Sequence, residues 1–478
     1  MADPGNQSDA ARSFAVEVVR RLHEAGYVAL WAGGCVRDQL LGKRPKDYDV
    51  ATNATPENVQ AVFGNRRTQF VGASFGVVAV RGPRDAGTIE VATFRRDVGY
   101  SDGRHPDRVE FSSPEEDAQR RDFTINGLFY DPLGDQLHDF VGGREDLSRR
   151  TLRCIGDPSA RFGEDKLRML RAVRFATVLD FSVDPGTLVA IVRHADELAM
   201  VSPERIGIEL RKILSHPSRA TGLDLLRSSR LWSVMLPEYD PPANNRPPVD
   251  TGVAAEDRAA LAWQRTRDAL GWLPEQAGIS ESIAAILYPL LVFAGRDDLG
   301  PRIMEAVERV ADRWRLTNEE ASLARWLLEN AESLCHADDE YWPRIQRLLT
   351  HPHGWKLLQL NRALLQASGE TPRPNELLAG DGDAASEVAA TGGIAHASAS
   401  RLAPLDWCEE KLRQPRDVLN PAPLVTGDDL LRLGMAAGPE LGTLLRDLRD
   451  YQLLGHLADR AAALQYAQAA LAARQHLH

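Results

Sequence analysis

The chain has 478 residues and a mass of 52.7 kDa, which is too long for one hydrophobic core and predicts roughly three or four domains. Its net charge of −11, from 57 basic and 68 acidic residues, argues against a general nucleic-acid coat but allows a local basic groove. Without a membrane-spanning apolar run or a signal-peptide pattern, we expect a cytoplasmic protein with no membrane partner. The four cysteines form no C-x-x-C pair, which predicts free thiols rather than a zinc site or a disulfide framework.

Up to about residue 150 the sequence predicts an α+β domain. Short apolar or β-branched runs there are bounded by Gly, Pro and Asp, as strands usually are. We predict strands at Tyr27 to Trp31, Asp49 to Ala51, Gly76 to Arg81, Thr88 to Phe94 and Arg108 to Phe111. From Asp165 onward apolar residues recur at helical spacing, so the remainder is predicted to be helical.

Two segments of biased composition divide the helical part. Four prolines between positions 241 and 248 indicate a linker, and the Gly-, Ala- and Ser-rich run 369–400 indicates a second, loosely ordered connection. Helices are predicted to resume after Thr426, where the letters T-G-D-D fit a capping box.

Two glycines lie between a predicted strand and a predicted helix. Gly33 and Gly34 occupy a place where backbone N–H groups can approach phosphate oxygens, and Arg37 follows one helical turn later. The segment lacks the G-K-[ST] of the Walker pattern and the third glycine of the dinucleotide fingerprint. A Gly-Gly pair alone is usually only a turn.

A pair of aspartates follows, with 12 residues between Gly34 and Asp47. Residues two apart in a strand point to the same face, so Asp47 and Asp49 should present their carboxylates together. Such oxygen ligands suit Mg²⁺ bridging a substrate phosphate, in a two-metal arrangement. Glu90 is the best candidate for a third carboxylate. A lone D-x-D is usually a loop or cap, but the strand-helix-strand context favours a functional site.

Arginines concentrate later in this acidic chain. Between Arg149 and Arg174 there are eight basic residues and three acidic ones. The i, i+3 spacing of Arg168, Arg171 and Arg174 keeps them close on a helix, where like charges repel by a few tenths of a kcal/mol per pair unless an anion lies between them. An anionic ligand is the simpler interpretation, and an exposed basic face is the alternative.

The segment RRDFTIN, from Arg120 to Asn126, places two arginines beside Asp122 just before an apolar run. Guanidinium groups suit bidentate phosphate binding. A solvated helix cap is the alternative.

Five segments, taken in order, resemble the motifs of one family. They are GGCVRDQLLG with KDYDVATNATPENV, RRDFTING, DFVGGREDL, GEDKLRMLRAVRFA and ERIGIELRKIL, and they cover about residues 30–215. The resemblance is to the class II tRNA nucleotidyltransferase and bacterial poly(A) polymerase superfamily, whose best-known members are the CCA-adding enzymes. Gly127 stands where the family usually has alanine. Beyond residue 215 the resemblance is limited to helical character and the tail segment LVTGDDLLRLGMAAGPELGTLL.

The resemblance implies a nucleotidyltransferase fold: an α+β catalytic head with a mixed sheet, then an all-α neck, body and tail in a seahorse-like architecture. The predicted domains are the catalytic head at 1–150, the helical neck with the nucleotide-selecting motif at 151–236, a Pro-rich linker at 237–256, the helical body at 257–368, the flexible segment at 369–400 and a tRNA-binding helical tail at 401–478.

Matched residue by residue, the resemblance also implies site roles. Asp47 and Asp49 would bind the metal, Mg²⁺, and with Glu90 they are the candidate catalytic residues. Arg121 would contact the triphosphate or the sugar. The candidate nucleotide-binding residues are Gly33, Gly34, Arg37, Arg121, Asp122, Asn126, Asp165, Arg168, Arg171 and Arg174.

The implied reaction transfers a nucleotidyl group from CTP or ATP to the 3′ hydroxyl of tRNA, without a nucleic-acid template and with release of pyrophosphate. No stable protein partner is inferred. Poly(A) polymerase is the runner-up, but bacterial members carry an extended G-[RK]-[RQ]-F-x-L-x-H signature where this chain has VGASFGVVAV, from Val71 to Val80. A non-catalytic RNA-binding protein is the more distant alternative, and it would not require two carboxylates beside a phosphate loop.

Some relatives add only CC and others only the terminal A. In the family the CC-adding forms lack a flexible loop between the first two motifs, whereas Arg95 to Glu116 is full length here and shows no apolar periodicity before Val109. CC-only addition is therefore not expected. The sequence leaves full CCA addition and A-only addition open.

The choice of C and A over G and U is predicted to depend on Asp165 and Arg168. Cytosine and adenine both offer an amino donor beside a ring-nitrogen acceptor, whereas uracil and guanine offer a carbonyl and an N–H. On one helix face, at i, i+3 spacing, Asp165 would accept from the amino group and Arg168 would donate to the ring nitrogen. The alternative is an ordinary Asp–Arg ion pair within the helix.

Overall fold

The structure, a computed structural model, describes residues 4–72, 76–100, 106–239, 255–369 and 393–475. These residues fall into two compact units, one within 1–244 together with Asp312–Arg315 and the other within 245–311 together with 316–478. Most of the predicted Pro-rich linker and residues 370–392 of the predicted flexible segment lie outside the described residues. The finer division into head, neck, body and tail stays a prediction.

A seven-stranded sheet forms the base of the first unit. Its order is β3-β4-β5-β2-β1-β8-β9, and its strands are β1 (Ala29–Ala32), β2 (Asp49–Thr52), β3 (Thr68–Gly72), β4 (Val77–Arg81), β5 (Thr88–Thr93), β8 (Leu128–Asp131) and β9 (Gln136–Asp139). Neighbouring strands pair antiparallel except β2 and β5, which run parallel. This mixed sheet confirms the predicted α+β head.

Two short strand pairs lie outside that sheet. Strands β6 (Arg95–Val98) and β7 (Arg108–Phe111) pair antiparallel, and β10 (Thr151–Leu152) pairs parallel with β11 (Ser182–Val183). The predicted strand Arg108 to Phe111 is confirmed, whereas a loop was expected where β6 and the helix that begins at Pro114 are found. Arg96 and Glu110 stand opposite each other in the β6–β7 hairpin and form an ion pair. The hairpin therefore does not show the apolar pattern from which strands are usually predicted.

The helices of the first unit pack on the sheet and continue beyond it. They are α1 (Pro4–Glu24), α2 (Gly34–Leu40), α3 (Pro56–Phe63), α4 (Pro114–Gln119), α5 (Gly143–Ser148), α6 (Pro158–Glu164), α7 (Leu167–Leu179), α8 (Pro185–His194), α9 (Pro203–Leu214), α10 (Arg219–Ser228) and α11 (Leu231–Met235). Helices α3, α4, α6, α8 and α9 each begin with Ser, Thr or Asp followed by proline. This pairing suits a helix start, because the side-chain oxygen can accept an otherwise free N–H and proline needs no partner there.

The second unit is helical throughout its described residues. Its helices are α12 (Ala255–Trp272), α13 (Ile279–Phe293), α14 (Leu299–Trp314), α15 (Asn318–Glu329), α16 (Trp342–Thr350), α17 (Gly354–Ser368), α18 (Gly393–Arg413), α19 (Arg416–Leu419), α20 (Gly427–Arg432), α21 (Pro439–Leu453) and α22 (Arg460–Gln475). Residues 393–400 of the predicted flexible segment belong to α18, so that prediction was wrong for them.

Two smaller predictions are confirmed. Thr426 and Asp429 form a capping box at the start of α20, and this part of the chain has its own apolar core around Leu430, Leu444 and Leu448. The four cysteines are free thiols. Among the described residues, no helix has both the length and the apolar character needed to cross a membrane.

Candidate active site

Three carboxylates lie together on one face of the sheet. Asp49 opens β2 and stands in register with Glu90 of the parallel strand β5. Asp47 precedes the strand rather than lying in it, which corrects the prediction. The alternation nevertheless reaches back to it, because Tyr48 and Val50 are buried while Asp47, Asp49 and Glu90 are exposed. Glu90, the predicted candidate for a third carboxylate, therefore lies beside Asp49.

The electrostatics of this group favour a cation. Although part of Asp49 is exposed to solvent, desolvation of its carboxyl group by the surrounding protein raises its pKa to about 6. The charges of Glu90 and Asp47 add to the rise, and Arg121 opposes it. Hard oxygen donors with excess negative charge fit Mg²⁺. Within the described ranges, however, no group of three or more His, Cys, Asp or Glu side chains is arranged to hold a metal ion by itself. Mg²⁺ commonly binds through one or two carboxylates and substrate phosphates, so the carboxylates fit a site that the substrate completes.

The glycine turn makes room for an arginine. Gly33 has φ 73° and precedes α2, which begins at Gly34 as predicted. The N–H of Gly33 donates to the carbonyl of Leu128 at 3.1 Å, so it is already used within the protein and not left for a phosphate as we expected. A Cβ atom at Gly33 would lie 2.9 Å from Nη1 of Arg121. Glycine is needed here for both the backbone angle and this close approach.

Arg121 is held by residues of its own neighbourhood. Its guanidinium forms an ion pair at 3.0 Å with Asp117, which is 1% exposed, and donates to the carbonyl of Asn126 at 3.2 Å. Its side chain lies over the ring of Phe129, 4.9 Å from the centroid. Arg120 also pairs with Asp117, at 2.7 Å, and neither arginine side chain is more than 20% exposed. The alternative of a solvated helix cap is therefore wrong.

A chain of hydrogen bonds joins the glycine turn to α7. Arg37 donates from Nη1 to Oδ1 of Asn126 at 2.8 Å, and Asn126 donates from Nδ2 to Oδ1 of Asp122 at 3.1 Å. Asp122 in turn accepts from Nε of Arg171 at 3.0 Å. Burial would raise the pKa of Asp122, but Arg171 and these hydrogen bonds hold it below its usual range. Three predicted motifs thus meet in one network.

Protein carboxylates neutralise the row of arginines on α7. Arg168 pairs with Glu164, Arg171 with Asp122 and Arg174 with Glu209. The repulsion that we expected an anionic ligand to relieve is therefore already relieved within the protein. The alternative of an exposed basic face is also wrong, because the side chains of Arg168 and Arg174 are 12% and 15% exposed.

Three of the predicted nucleotide-binding arginines lie close to one aromatic ring. The guanidinium carbons of Arg174, Arg37 and Arg171 lie 3.8, 5.3 and 5.5 Å from the centroid of Phe175. Such contacts are attractive because the ring face carries negative charge density. Phe175 is 9% exposed and packs edge-on against Phe123, so it forms a fixed support for these cations.

Asp165 does not lie on the helix that carries Arg168. It has extended backbone angles between α6 and α7, and its Oδ1 accepts from the N–H of Leu167 at 3.0 Å. Its Oδ2 accepts from Arg205 of α9 at 2.7 Å. The shared helix face was therefore wrong, and so was the alternative Asp165–Arg168 ion pair.

Two ion pairs of opposite polarity connect helix α9 to α7 and to the residue just before it. Arg205 holds Asp165, before the first residue of α7, and Glu209 holds Arg174 at 2.7 Å, farther along it. Glu209 is 4% exposed, and removing the partner of a buried charge is strongly destabilising. The arrangement fixes α7 along its length and not only at one end.

Five residues of this site were not predicted: Asp117, Glu164, Phe175, Arg205 and Glu209. Asp117 could have been found, because it stands four positions before Arg121 at a spacing that brings helical side chains together. Arg205 and Glu209 lie in a recognised motif, but the sequence does not reveal which residues they contact. Phe175 resembles any other apolar residue of a buried helix.

Two family models match the chain. Residues 29–153 match the poly A polymerase head domain, and residues 180–241 match a domain described as the probable RNA and SrmB-binding site of polymerase A. The chain is also 31% identical over 449 residues to the CCA-adding enzyme of Levilactobacillus brevis, across 94% of this chain and 95% of that protein. The chain belongs to the CCA-adding enzyme and poly(A) polymerase family. It is thus a nucleotidyltransferase.

Other family members match through about half of their length. Poly(A) polymerase I of Salmonella typhi is 43% identical over 238 residues, which are 47% of this chain and 50% of that protein. The CCA-adding enzyme of Geobacillus stearothermophilus is 44% identical over 218 residues, or 45% and 53% of the two chains. The two kinds of enzyme are equally similar in these partial matches, so the partial matches do not separate them.

Solved structures of the family share the fold. One of them is the CCA-adding enzyme of Bacillus stearothermophilus, solved in complex with CTP. Its alignment with this chain covers 100% of both chains at 27% identity, with a TM-score of 0.64. Another is the CCA-adding enzyme of Thermotoga maritima, complexed with tRNA. Its alignment covers 98% of this chain and 96% of the Thermotoga maritima chain at 20% identity, with a TM-score of 0.62. The likeness confirms a mixed-sheet head followed by a helical body.

Proposed function

We propose that this protein is a cytoplasmic tRNA nucleotidyltransferase that adds CCA, or its last A, to the 3′ end of tRNA from CTP and ATP. One observation carries the proposal. Arg121 touches the glycine turn and its charge opposes the rise in the pKa of Asp49, so the arginine network and the carboxylate group meet at one place. The extensive match to a CCA-adding enzyme supports tRNA as the substrate.

The reaction joins the 3′ oxygen of the RNA to the α-phosphate of the nucleotide and breaks the bond to the β-phosphate, so that pyrophosphate leaves. Asp47 and Asp49 would hold Mg²⁺ together with phosphate oxygens, and Glu90 adds negative charge beside them. When bound there as a pair, such ions lower the pKa of the attacking hydroxyl and stabilise the departing pyrophosphate. Arg37, Arg121 and Arg171 supply guanidinium groups for the triphosphate.

The base is selected at the N-terminal end of α7. Asp165 retains acceptor capacity, because each carboxylate oxygen can accept more than the one hydrogen bond that it has here. Arg168 donates to Glu164 and to the carbonyl of Arg161, so its position is fixed before a base arrives. We expect Asp165→Ala and Arg168→Ala each to lower the ratio of kcat/KM for CTP over UTP by about 5- to 100-fold. Unchanged ratios in both active variants would contradict this assignment.

The catalytic role is tested by Asp47→Ala combined with Asp49→Ala. Nucleotide incorporation into tRNA lacking its 3′ end should be lost, while binding of that tRNA is retained. Glu57→Gln is a matched control, because this exposed carboxylate lies on α3, away from the group of three. Incorporation that persists in the double variant would show that the carboxylates are not catalytic.

Poly(A) polymerase activity is the second candidate, favoured by the 43% identity to poly(A) polymerase I. Incubation with ATP and CTP on an unstructured RNA distinguishes the two, since long A tails on that RNA would replace our proposal. Three tRNAs, ending before C, after C and after CC, separate the modes of addition. Extension of the last tRNA alone would mean an A-adding enzyme.

A further inference from the structure

A basic cavity lies in the first unit, outside the candidate active site. It has a volume of about 460 Å³ and opens to solvent between α1 and the segment that connects α2 to β2. Arg12, Lys43, Arg44, Asp9 and Tyr48 are among its lining residues. None of these residues has a part in the proposed nucleotide site, so the cavity needs a separate explanation.

The cavity lies next to the start of β2, on the side opposite the carboxylates. Tyr48 stands between Asp47 and Asp49 in the chain, but its side chain is buried on the opposite face, where its ring packs 4.8 Å from that of Trp31. Tyr48 is only 4% exposed as a whole, and it is one of the residues that line the cavity. A hydroxyl of a residue that lines a cavity can donate to a ligand that accepts a hydrogen bond.

Of the three cationic side chains that line this cavity, two have no carboxylate partner among the described residues. Arg44 pairs with Asp9, which therefore offsets one positive charge. Arg12 lies 5.6 Å from the centroid of Trp31, and in the described part of the chain neither Arg12 nor Lys43 forms an ion pair. The cavity thus combines a net positive charge, two free cationic groups and a hydroxyl donor.

We infer that this cavity binds a phosphate group, held by Arg12, Lys43 and the Tyr48 hydroxyl. Cationic N–H groups and a hydroxyl donor match the several acceptor oxygens of phosphate. The inference rests on the proposed function, because tRNA and pyrophosphate bring phosphate to this enzyme. The source is either a backbone phosphate of the RNA or free pyrophosphate. Since Lys43 and Arg44 lead directly to Asp47, a phosphate held here would also fix the start of β2.

Binding measurements test this without relying on catalysis. The affinity for tRNA lacking its 3′ end is measured at several salt concentrations for the parent, for Arg12→Gln with Lys43→Gln, and for Arg20→Gln with Arg66→Gln. The last variant removes the same charge from exposed positions of the head that do not line the cavity. If the source is RNA, the magnitude of the slope of log K against log salt should fall by roughly 1 in the cavity variant, because one phosphate contact is lost. The control variant should keep the parent slope.

Calorimetric titration with pyrophosphate forms the second arm. If the source is free pyrophosphate, the cavity variant and Tyr48→Phe should each lose one binding event that the parent and the control retain, with tRNA affinity unchanged. Cavity variants that match the control in both arms would overturn the inference. Incorporation by the parent enzyme is assayed separately, so a failure of the proposed function is distinguishable from a failure of this inference.

Discussion

Arg205 donates a hydrogen bond to Asp165 at 2.7 Å, although the two residues are 40 positions apart in the chain. The carboxylate proposed to recognise the amino group of the incoming base is thus oriented by a residue of another helix. Because an ion pair to a fixed guanidinium restricts a carboxylate more than solvent does, Arg205 is a positioning residue for base selection.

Replacement of Arg205 should therefore loosen selection. We expect Arg205→Gln to lower the ratio of kcat/KM for CTP over UTP by about 5- to 50-fold, because Asp165 loses a charge-assisted hydrogen bond. Arg205→Lys should restore part of the ratio. Arg193→Gln, which removes an exposed arginine of α8 that forms no ion pair among the described residues, serves as the control. A purely structural role would lower the rates for both nucleotides equally and leave the ratio unchanged.

The glycine turn allows a comparison between two positive-φ glycines. Gly33→Ala should destabilise the protein by about 1–2 kcal/mol more than Gly26→Ala, because both strain the backbone but only Gly33 would also bring a methyl group against Arg121. Gly26 has φ 86° and open space around it. Urea unfolding measures the stability difference, and the KM for CTP should rise in Gly33→Ala alone. Equal effects of the two substitutions would show that the contact with Arg121 is unimportant.

The buried pair of Asp122 and Arg171 predicts a pH dependence. Arg171→Gln should lower the free energy of unfolding by about 1–3 kcal/mol at pH 7, a range that allows for Arg171 being one-third exposed. Arg171 holds the pKa of Asp122 below its usual range, so the pair stabilises the fold fully above the unfolded pKa of about 4. This stability is lost as the pH falls through the lower folded pKa. Urea unfolding from pH 7 to pH 3 should therefore show parent and variant converging in acid, and a constant difference would contradict the assignment.

Gly127, where the family usually has alanine, has a physical cause in this chain. A Cβ atom there would lie 2.7 Å from Cγ2 of Val141 and 3.2 Å from Cδ1 of Ile155. Gly127→Ala should consequently cost about 1–3 kcal/mol through overpacking, and Val141→Ala in the same chain should recover much of that loss. Thermal unfolding of both single variants and the double variant measures the coupling. Additive effects would show that the two positions do not share this space.

Where short apolar or β-branched runs were bounded by Gly, Pro or Asp, the sequence was sufficient to predict strands. The predicted strand Arg108 to Phe111 has the observed bounds, and Gly76 to Arg81 differs by one residue. Strands β3 and β9 were missed because they form the two edges of the sheet, where one side of a strand has no neighbour and the apolar pattern weakens. Strand β8 was missed for the opposite reason, since Leu128 and Phe129 are adjacent and both fully buried.

The candidate site shows a similar division. The positions of Asp49, Glu90 and the arginines of α7 follow from local patterns, because spacing within a strand or helix determines which way a side chain points. Their partners do not follow, because Asp122, Glu209 and Arg205 come from other segments of the chain. Asp165 was misplaced since its side chain caps the N–H of Leu167, and this local hydrogen bond competes with continuation of the helix.

The network from Arg37 to Arg171 also bears on how the protein folds. Its hydrogen bonds join residues 89 and 49 positions apart in the chain, and β2 pairs in parallel with β5, which is not the next strand along the chain. Contacts between distant residues require loop closure before they stabilise anything, so they form slowly compared with helices. Refolding followed by circular dichroism should accordingly recover most helical signal before CTP binding returns. A chain just released from the ribosome would therefore spend a short interval as a largely helical protein that does not yet bind its nucleotide.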